Sequence, residues 1–480
     1  MRTIVGVIKV MGGEPRDAVV VGSGPNGLAA AITLAEAGRS VLVLEAAAQP
    51  GGCLRSEELL ETGFHHDVCA TIMSLAGLTP LLAGLGIDLV VPSAPLAHPF
   101  DDGTAVVAER SVVATAEALG ADGRAYRWLL EPLALRARRL LAMVMGPRRL
   151  PADPLLLARF GLPALLPAAR LAKLAFRGRE ARALLAGAAA HSLLSLDEAG
   201  SAAFGLLMLL SAHAGGWPLA RGGSASVANI LVARLQELGG EIRCGERVSS
   251  LASLAPHRAV LLDLVPKGVL EVAGRQLPDR YRRRLAAYRH GPGAFKLDWT
   301  LDGPIPWQAD ACRRAATLHL GGTSEEIALS ESEVAQGRHP LRPFVLLVQP
   351  TLFDPSRAPT GRHIAWAYCH VPNGSDRDLT REVEDQVERF APGFRKLVRA
   401  RGAITARRLE GLEPNCVGGD VNGGRMDLRQ LFSRPAPRLD PYTTPVPELF
   451  LCSAATPPGG GVHGMCGVNA ARTVLRTRLR

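Results

Sequence analysis

Asp17-Ala-Val-Val-Val-Gly-Ser-Gly-Pro-Asn-Gly27 decides the fold. A short β-branched run ends in Gly22-Ser23-Gly24, and an Ala/Leu-rich stretch with helical spacing runs from Asn26 to Ala37 before Gly38 stops it. Ser40 to Leu44 reads as a second buried strand, so residues 17–45 form one βαβ unit. Each glycine has a distinct task. Gly22 permits the tight turn, Gly24 lets backbone amides approach a pyrophosphate at the helix N-terminus, and Gly27 allows helix to pack closely on strand. Glu45, eighteen residues after Gly27, closes the next strand and can accept hydrogen bonds from a ribose. Its charge also repels a 2′-phosphate. Pro25 and Asn26 open the helix between these points.

Outward from this unit, 480 residues exceed what one hydrophobic core organises, and two or three structural units are expected. With 47% apolar and 21% charged residues the chain is neither disordered nor a small disulfide scaffold. The net charge of +10 would suit nucleic acid, but only five of the 55 cations are Lys and the arginines are scattered. No nucleic-acid docking face is expected. The eight cysteines form no CxxC pair, so neither a zinc site nor a disulfide framework is indicated, and small buried thiols in a cytoplasmic protein are expected. The first sixteen residues lack the apolar segment of an export signal, and Met11 is an alternative start. Val68 to Ile87 and Ala199 to Ala220 reach membrane-spanning length, but Gly and Pro interrupt both. Buried helix and loop are expected there.

From Trp128 to Leu210 the composition shifts to Leu, Ala and Arg, with prolines cutting it into short helices, as in a cap. Another amphipathic helix, Val227 to Leu238, and a returning strand, Glu241 to Val248, resume the nucleotide domain. Between Phe295 and Val371, β-type runs alternate with turns and predict an antiparallel sheet. Trp299, Trp307, Trp366, Tyr368 and His370 fall on it, either as core or as the lining of an apolar channel. A last strand, Leu449 to Cys452, leads through a glycine cluster into a helix over Val468 to Leu475.

A second glycine pair, Gly51-Gly52, with Cys53, Arg55 and Ser56, follows Glu45 directly, where flavoproteins run backbone beside the diphosphate and ribityl chain. Here the sequence resembles the FAD-dependent oxidoreductases that include amine oxidases and phytoene desaturases. The segment 449–471, with Gly63 to Asp67, Gly216 to Ser224, Gly418 to Gly424 and Leu431 to Pro435, is similar to bacterial phytoene desaturases and their retinol-saturase-like and pyridine-nucleotide-disulfide-oxidoreductase-domain-2-like relatives.

The resemblance implies an α/β protein: a split Rossmann-type FAD-binding domain (1–100, 221–290, 436–480), a helical cap (101–220) and an antiparallel-sheet substrate domain (291–435). It places Val248 at the adenine end of FAD. Gly459, Gly460, Gly461, Val462, His463, Gly464 and Met465 would lie under the pyrimidine side of the isoalloxazine, where a helix N-terminus stabilises developing negative charge. Amine oxidases of this group carry Arg where Cys53 stands and an acidic residue where Ser453 and Ala454 stand. Both departures favour the desaturase side.

The implied activity is hydride removal from a small hydrophobic substrate to flavin N5, with oxygen or a quinone as terminal acceptor. Dehydrogenation also releases a proton, for which His463, His66 and Asp67 are the candidate bases. An amine oxidase, a redox-neutral isomerase or saturase, and a protein using FAD only structurally stay open, as does peripheral contact with a membrane.

Overall fold

The computed structural model describes residues 14–147 and 149–480. The expected lack of an export signal in the first residues and the alternative start at Met11 fall on residues 1–13, outside the described residues.

The opening strand, Arg16–Val21, sits at the centre of a five-stranded parallel sheet. Val41–Leu44 and then Glu241–Arg243 lie on one side of it, and His257–Leu262 and then Leu449–Leu451 on the other. Its Val/Leu runs are buried on both faces, as a covered parallel sheet requires. Ala18 and Val20 pack under the helices Pro25–Glu36, Ala225–Glu237 and Met465–Thr477. Val19 and Val21 face the opposite way, against Val269, Tyr281 and Leu285 of the helices Pro266–Ala273 and Asp279–Ala286. The expected split Rossmann unit is present, returning to its sheet twice.

A second, seven-stranded sheet runs in the order Val398–Ile404, Gly293–Leu301, His363–Val371, Val345–Val348, Ala315–Leu320, Ala94–Pro99, Ala105–Ala108. Its neighbours are antiparallel except Ala315–Leu320 with Ala94–Pro99. The hairpin 94–108 straddles the boundary expected at residue 100, so this sheet takes strands from both sides of the cap. That is a tertiary pairing, and APLAHP has no strand-like alternation to announce it.

The cap is helical from Val112 to Gly215. Pro154 opens one helix and Pro167 caps the start of the next, the two crossing at 103°. No single described helix is long and apolar enough to cross a membrane. Ser201–Gly215 is an apolar helix of the cap, with Leu206, Leu209 and Leu210 in its core. Ile327, Phe344 and Leu346 join the same core, so the cap is seated on the seven-stranded sheet.

Candidate active site

The carboxyl ends of the parallel strands, the cap and one face of the large sheet enclose a cavity of about 1580 Å³. Ligands of open parallel sheets bind at this end. The volume exceeds the roughly 300–1,000 Å³ of ordinary small-molecule sites, enough for a dinucleotide and a substrate together.

At its floor lie Gly22, Gly24, Pro25, Asn26 and Glu45. Gly22 adopts φ +100, and a Cβ on Gly27 would stand 2.1 Å from the Gly22 carbonyl oxygen, so the turn admits no larger residue at its third glycine. Gly52 rests on this turn, 3.2 Å separating the position of its absent Cβ from the Gly24 Cα, and the Gly51 amide donates to the Ser23 carbonyl. Glu45 Oε2 accepts from the Ser23 amide (2.8 Å) and hydroxyl (2.6 Å), while Oε1 accepts from the Ala47 amide. Val248 lines the same end.

Gly460, Gly461, Val462 and His463 close the floor from the other side. The helix Met465–Thr477 crosses the first helix so closely that a Cβ on Gly467 would lie 1.8 Å from the Asn26 carbonyl oxygen. Two glycine-rich turns more than 400 residues apart in sequence thus become one cradle. Gly459, Gly464 and Met465, expected at the cofactor, do not line the cavity: Gly459 packs against Met426 and Arg434, and Gly464 against Ala29 of the first helix. Two buried polar atoms at this cradle, Asn26 Oδ1 and Glu246 Oε2, have no hydrogen-bond partner among the described residues, and both residues line the cavity. Narrow glycine backbone, exposed turn amides and unmet polar atoms fit an adenine dinucleotide.

The candidate bases fare differently. His463 Nδ1 accepts from the Met465 amide (3.0 Å), so its proton is on Nε2, which faces the Gly459 carbonyl at 3.2 Å. Burial lowers its pKa to about 4, against the opposing pull of the Gly459 and Gly460 backbone. Both nitrogens are engaged in holding the turn, and the expectation that it takes a substrate proton is corrected. Asp67 is buried away from the cavity. Its Oδ2 meets Arg357 Nη1 at 2.5 Å, and its Oδ1 accepts from the Ser224 amide and the Ser56 hydroxyl. Burial raises its pKa, but Arg357, Ser56 and Ser224 outweigh it and hold the acid below the ordinary carboxylate range. Asp67 and Ser56 form a structural knot under the cradle. Arg55 turns to Glu413 at 2.7 Å, and His66 Nδ1 lies 3.3 Å from Asp298.

That aspartate leads to a residue the sequence did not single out. Lys296 Nζ is held by both Asp298 oxygens at 2.6 and 2.5 Å, lies 5.1 Å over the Trp366 ring, and lines the cavity. Trp366 and Tyr368 also line it, stacked at 5.9 Å. Their alternation with buried Ala365 and Ala367 on one strand was the available signal. His370, expected with them, is instead buried on Glu331 at 2.7 Å. Trp299 and Trp307 donate to Glu384 and Gln349 on the opposite face and are core.

Asp263 was missed as well. It follows His257–Leu262, its Oδ2 accepts from the Gly27 amide at 2.9 Å, and burial, with Glu45 nearby, raises its pKa to about 7. The cysteines expected to be unpaired are not all solitary. Cys53, Cys69 and Cys416 meet at the cavity wall. The Cys53 thiol is raised by its bond to Cys416 and by burial, the Cys69 thiol by its bond to Cys53 and by burial, so both stay as thiols.

A family model for an NAD(P)-binding Rossmann-like domain matches residues 20–83. Pyridine nucleotide-disulfide oxidoreductase domain-containing protein 2 of Rattus norvegicus is 30% identical over 48% of this chain, a match spanning 42% of that relative. The chain thus aligns with less than half the length of that protein. Phytoene dehydrogenase of Streptomyces griseus is 27% identical over 81% of each chain. An oxidoreductase structure from Methanosarcina mazei superposes with a TM-score of 0.63 at 16% identity, covering 96% of this chain and 100% of its own. The chain thus carries a Rossmann-like dinucleotide-binding unit and is similar, in sequence, to a phytoene dehydrogenase and, in fold, to oxidoreductases of known structure.

Proposed function

We propose that the protein is a dehydrogenase of apolar molecules, related in chemistry to the phytoene dehydrogenases. The observation that carries this reading is that one cavity is lined both by the Gly24 turn and by the apolar cap residues Leu157, Phe160, Phe204 and Leu207. A hydrocarbon chain gains about 25 cal/mol for each Å² of apolar surface it buries there.

FAD, when bound, supplies a two-electron acceptor for hydride. The chain supplies the rest. The turn at Gly22–Gly27 and Glu45 would hold the dinucleotide, and the 459–465 segment, leading into the helix Met465–Thr477, would offer it backbone amides that favour negative charge. The apolar cap residues Leu157, Phe160, Phe204 and Leu207 would hold the substrate beside the cradle, which raises the fraction of productive encounters. Lys296 presents to the chamber an ammonium paired with both oxygens of Asp298.

The mouth supports delivery from a lipid surface. Leu150, Leu155, Leu162, Leu165 and Leu174 are exposed on one stretch of the cap, and Leu162 and Leu165 also line the cavity. Arg149 stands beside them at the rim. A peripheral seat on the cytoplasmic face of a membrane, with oxygen or a quinone as final acceptor, completes the reading.

The test is anaerobic bleaching of the bound flavin by a panel of isoprenoids, retinoids, acyl compounds and amines. Bleaching by apolar alcohols or hydrocarbons is expected. Bleaching by amines alone would make the protein an amine oxidase, and bleaching only by reduced nicotinamide would make it a reductase or isomerase.

A further inference from the structure

The positive charge of the chain is concentrated in the cap, although its arginines look scattered along the sequence. Residues 124–177 carry eleven Lys or Arg against two Asp or Glu, a net +9 of the +10 of the whole protein. Both acids are already paired within the segment, Glu131 with Arg127 at 3.1 Å and Asp153 with Arg139 at 3.3 Å. Arg124, Arg138, Arg149, Arg170, Lys173 and Arg177 have no ion-pair partner among the described residues.

The same stretch holds the exposed apolar side chains. Seven of the fourteen large apolar side chains exposed among the described residues lie between Trp128 and Leu174. On the helix Pro154–Ala164, Leu155 (83% exposed) and Leu162 (71%) stand seven residues apart and so share one face, while Leu156 and Phe160 hold the other face in the core. Arg159, between them on the outer face, donates to the Trp128 carbonyl at 2.6 Å and lies 4.8 Å over its exposed ring. Arg139 of the helix Ala137–Val144 donates to the Ala152 carbonyl at 3.0 Å and so stands at the Leu155 end of the ridge. The ridge also meets the cavity. Leu162, Leu165 and Arg149 are exposed and line it, and Leu150, beside Arg149, is 96% exposed.

We propose that this face of the cap docks on an anionic phospholipid bilayer, with its leucines among the acyl chains, its guanidinium groups at the phosphates and the cavity mouth turned toward the lipid. The inference rests on the reading of the cavity as a chamber for apolar molecules and names the surface against which it opens. Apolar tips interleaved with cations match a charged head-group layer over hydrocarbon, and each cation near such a surface strengthens binding about fivefold. A nucleic acid would neutralise the arginines but leave the leucines in water. A second copy would bury the leucines but set one +9 face against another.

The test is co-sedimentation of the protein as purified with vesicles of phosphatidylcholine alone and of phosphatidylcholine with about 30% phosphatidylglycerol, at about 0.1 M salt. Binding to the anionic vesicles is expected to be at least about tenfold tighter, and the difference should vanish at about 1 M salt, where charges are screened within about 3 Å. Arg138→Gln with Arg149→Gln should weaken binding to the anionic vesicles about tenfold and leave binding to phosphatidylcholine alone unchanged. Leu150→Glu with Leu155→Glu should weaken binding to both. Leu439→Glu, as exposed but in the nucleotide domain, should change neither. All five side chains are exposed, so the melting temperature should hold.

Equal binding to the two vesicles, no binding to the anionic ones, or a preference that survives about 1 M salt would overturn the proposal with no variant needed. A parent dimer in size-exclusion chromatography that Leu150→Glu with Leu155→Glu dissociates would also overturn it, assigning the face to a second copy. Anionic-vesicle preference without flavin bleaching by any apolar compound removes the dehydrogenase reading alone. Bleaching by detergent-dispersed compounds without the vesicle preference removes the docking alone.

Discussion

Replacing Asp263 by Asn tests how the cradle is held. The carboxyl is 5% exposed, accepts the Gly27 amide at 2.9 Å, and would lie 2.8 Å from a Cβ on Gly24. An acid with a raised folded-state pKa binds more protons in the fold than in the unfolded chain, so its contribution is complete below the unfolded value and is lost as pH rises through the folded one. Going from 3.8 unfolded to about 7 folded, Asp263 forfeits about 4 kcal/mol of stability at neutral pH. About 3 kcal/mol of this falls between about pH 5 and about pH 8.

Asn accepts the same amide without a charge. Urea unfolding of parent and Asp263→Asn across that range should give curves that approach each other at the acid end and separate toward the alkaline end, the variant being the more stable. Glu413, also raised to about 7 mainly by burial, is present in both proteins and cancels in the comparison. Parallel curves, or a variant less stable at every pH, would refute the account of Asp263 as a buried acid strained by ionisation.

Further outcomes follow from the same geometry. Gly27→Val, whose Cβ would stand 2.1 Å from the Gly22 carbonyl oxygen, should cost about 3 kcal/mol or more in urea unfolding and abolish flavin retention, read as loss of colour. Asp67→Asn and Arg357→Met should each destabilise by about 3–5 kcal/mol, and the double variant by clearly less than their sum, because each single change strands a buried charge. A catalytic Asp67 would instead lower turnover with the melting temperature intact. Lys296→Met should keep the flavin but slow its anaerobic bleaching at least about tenfold, and an unchanged rate would remove the Lys296–Asp298 pair from the mechanism.

The dinucleotide turn was legible because its requirements are local. A β-branched run, three glycines and an acid at fixed offsets encode a strand, a turn and a helix within thirty residues, and the structure places Arg16–Val21, Pro25–Glu36 and Val41–Leu44 there. The strand His257–Leu262, central to the sheet, was passed over, although its VLL run lies between the same punctuation. His463, His66 and Asp67 looked alike as bases in sequence. Their difference lies in what surrounds them, two backbone partners for one, Asp298 for another, Arg357 for the third.

Sequence alone therefore determined the α/β class and the cofactor turn, since backbone constraints of that kind are written within a few residues, while the glycine segment that answers the turn was reached through its resemblance to phytoene desaturases. Tertiary structure decided the rest. Only folding brings Lys296 and Asp298 to one wall, sets His191 against His319, gathers Cys53, Cys69 and Cys416, and leaves Thr317 and Trp366 without partners. Those relations depend on cross-strand register and on a cap laid over a sheet, contacts between residues tens to hundreds of positions apart. Desolvation, which sets the protonation of Asp263 and His463, is likewise a property of the packed interior rather than of any local stretch of chain.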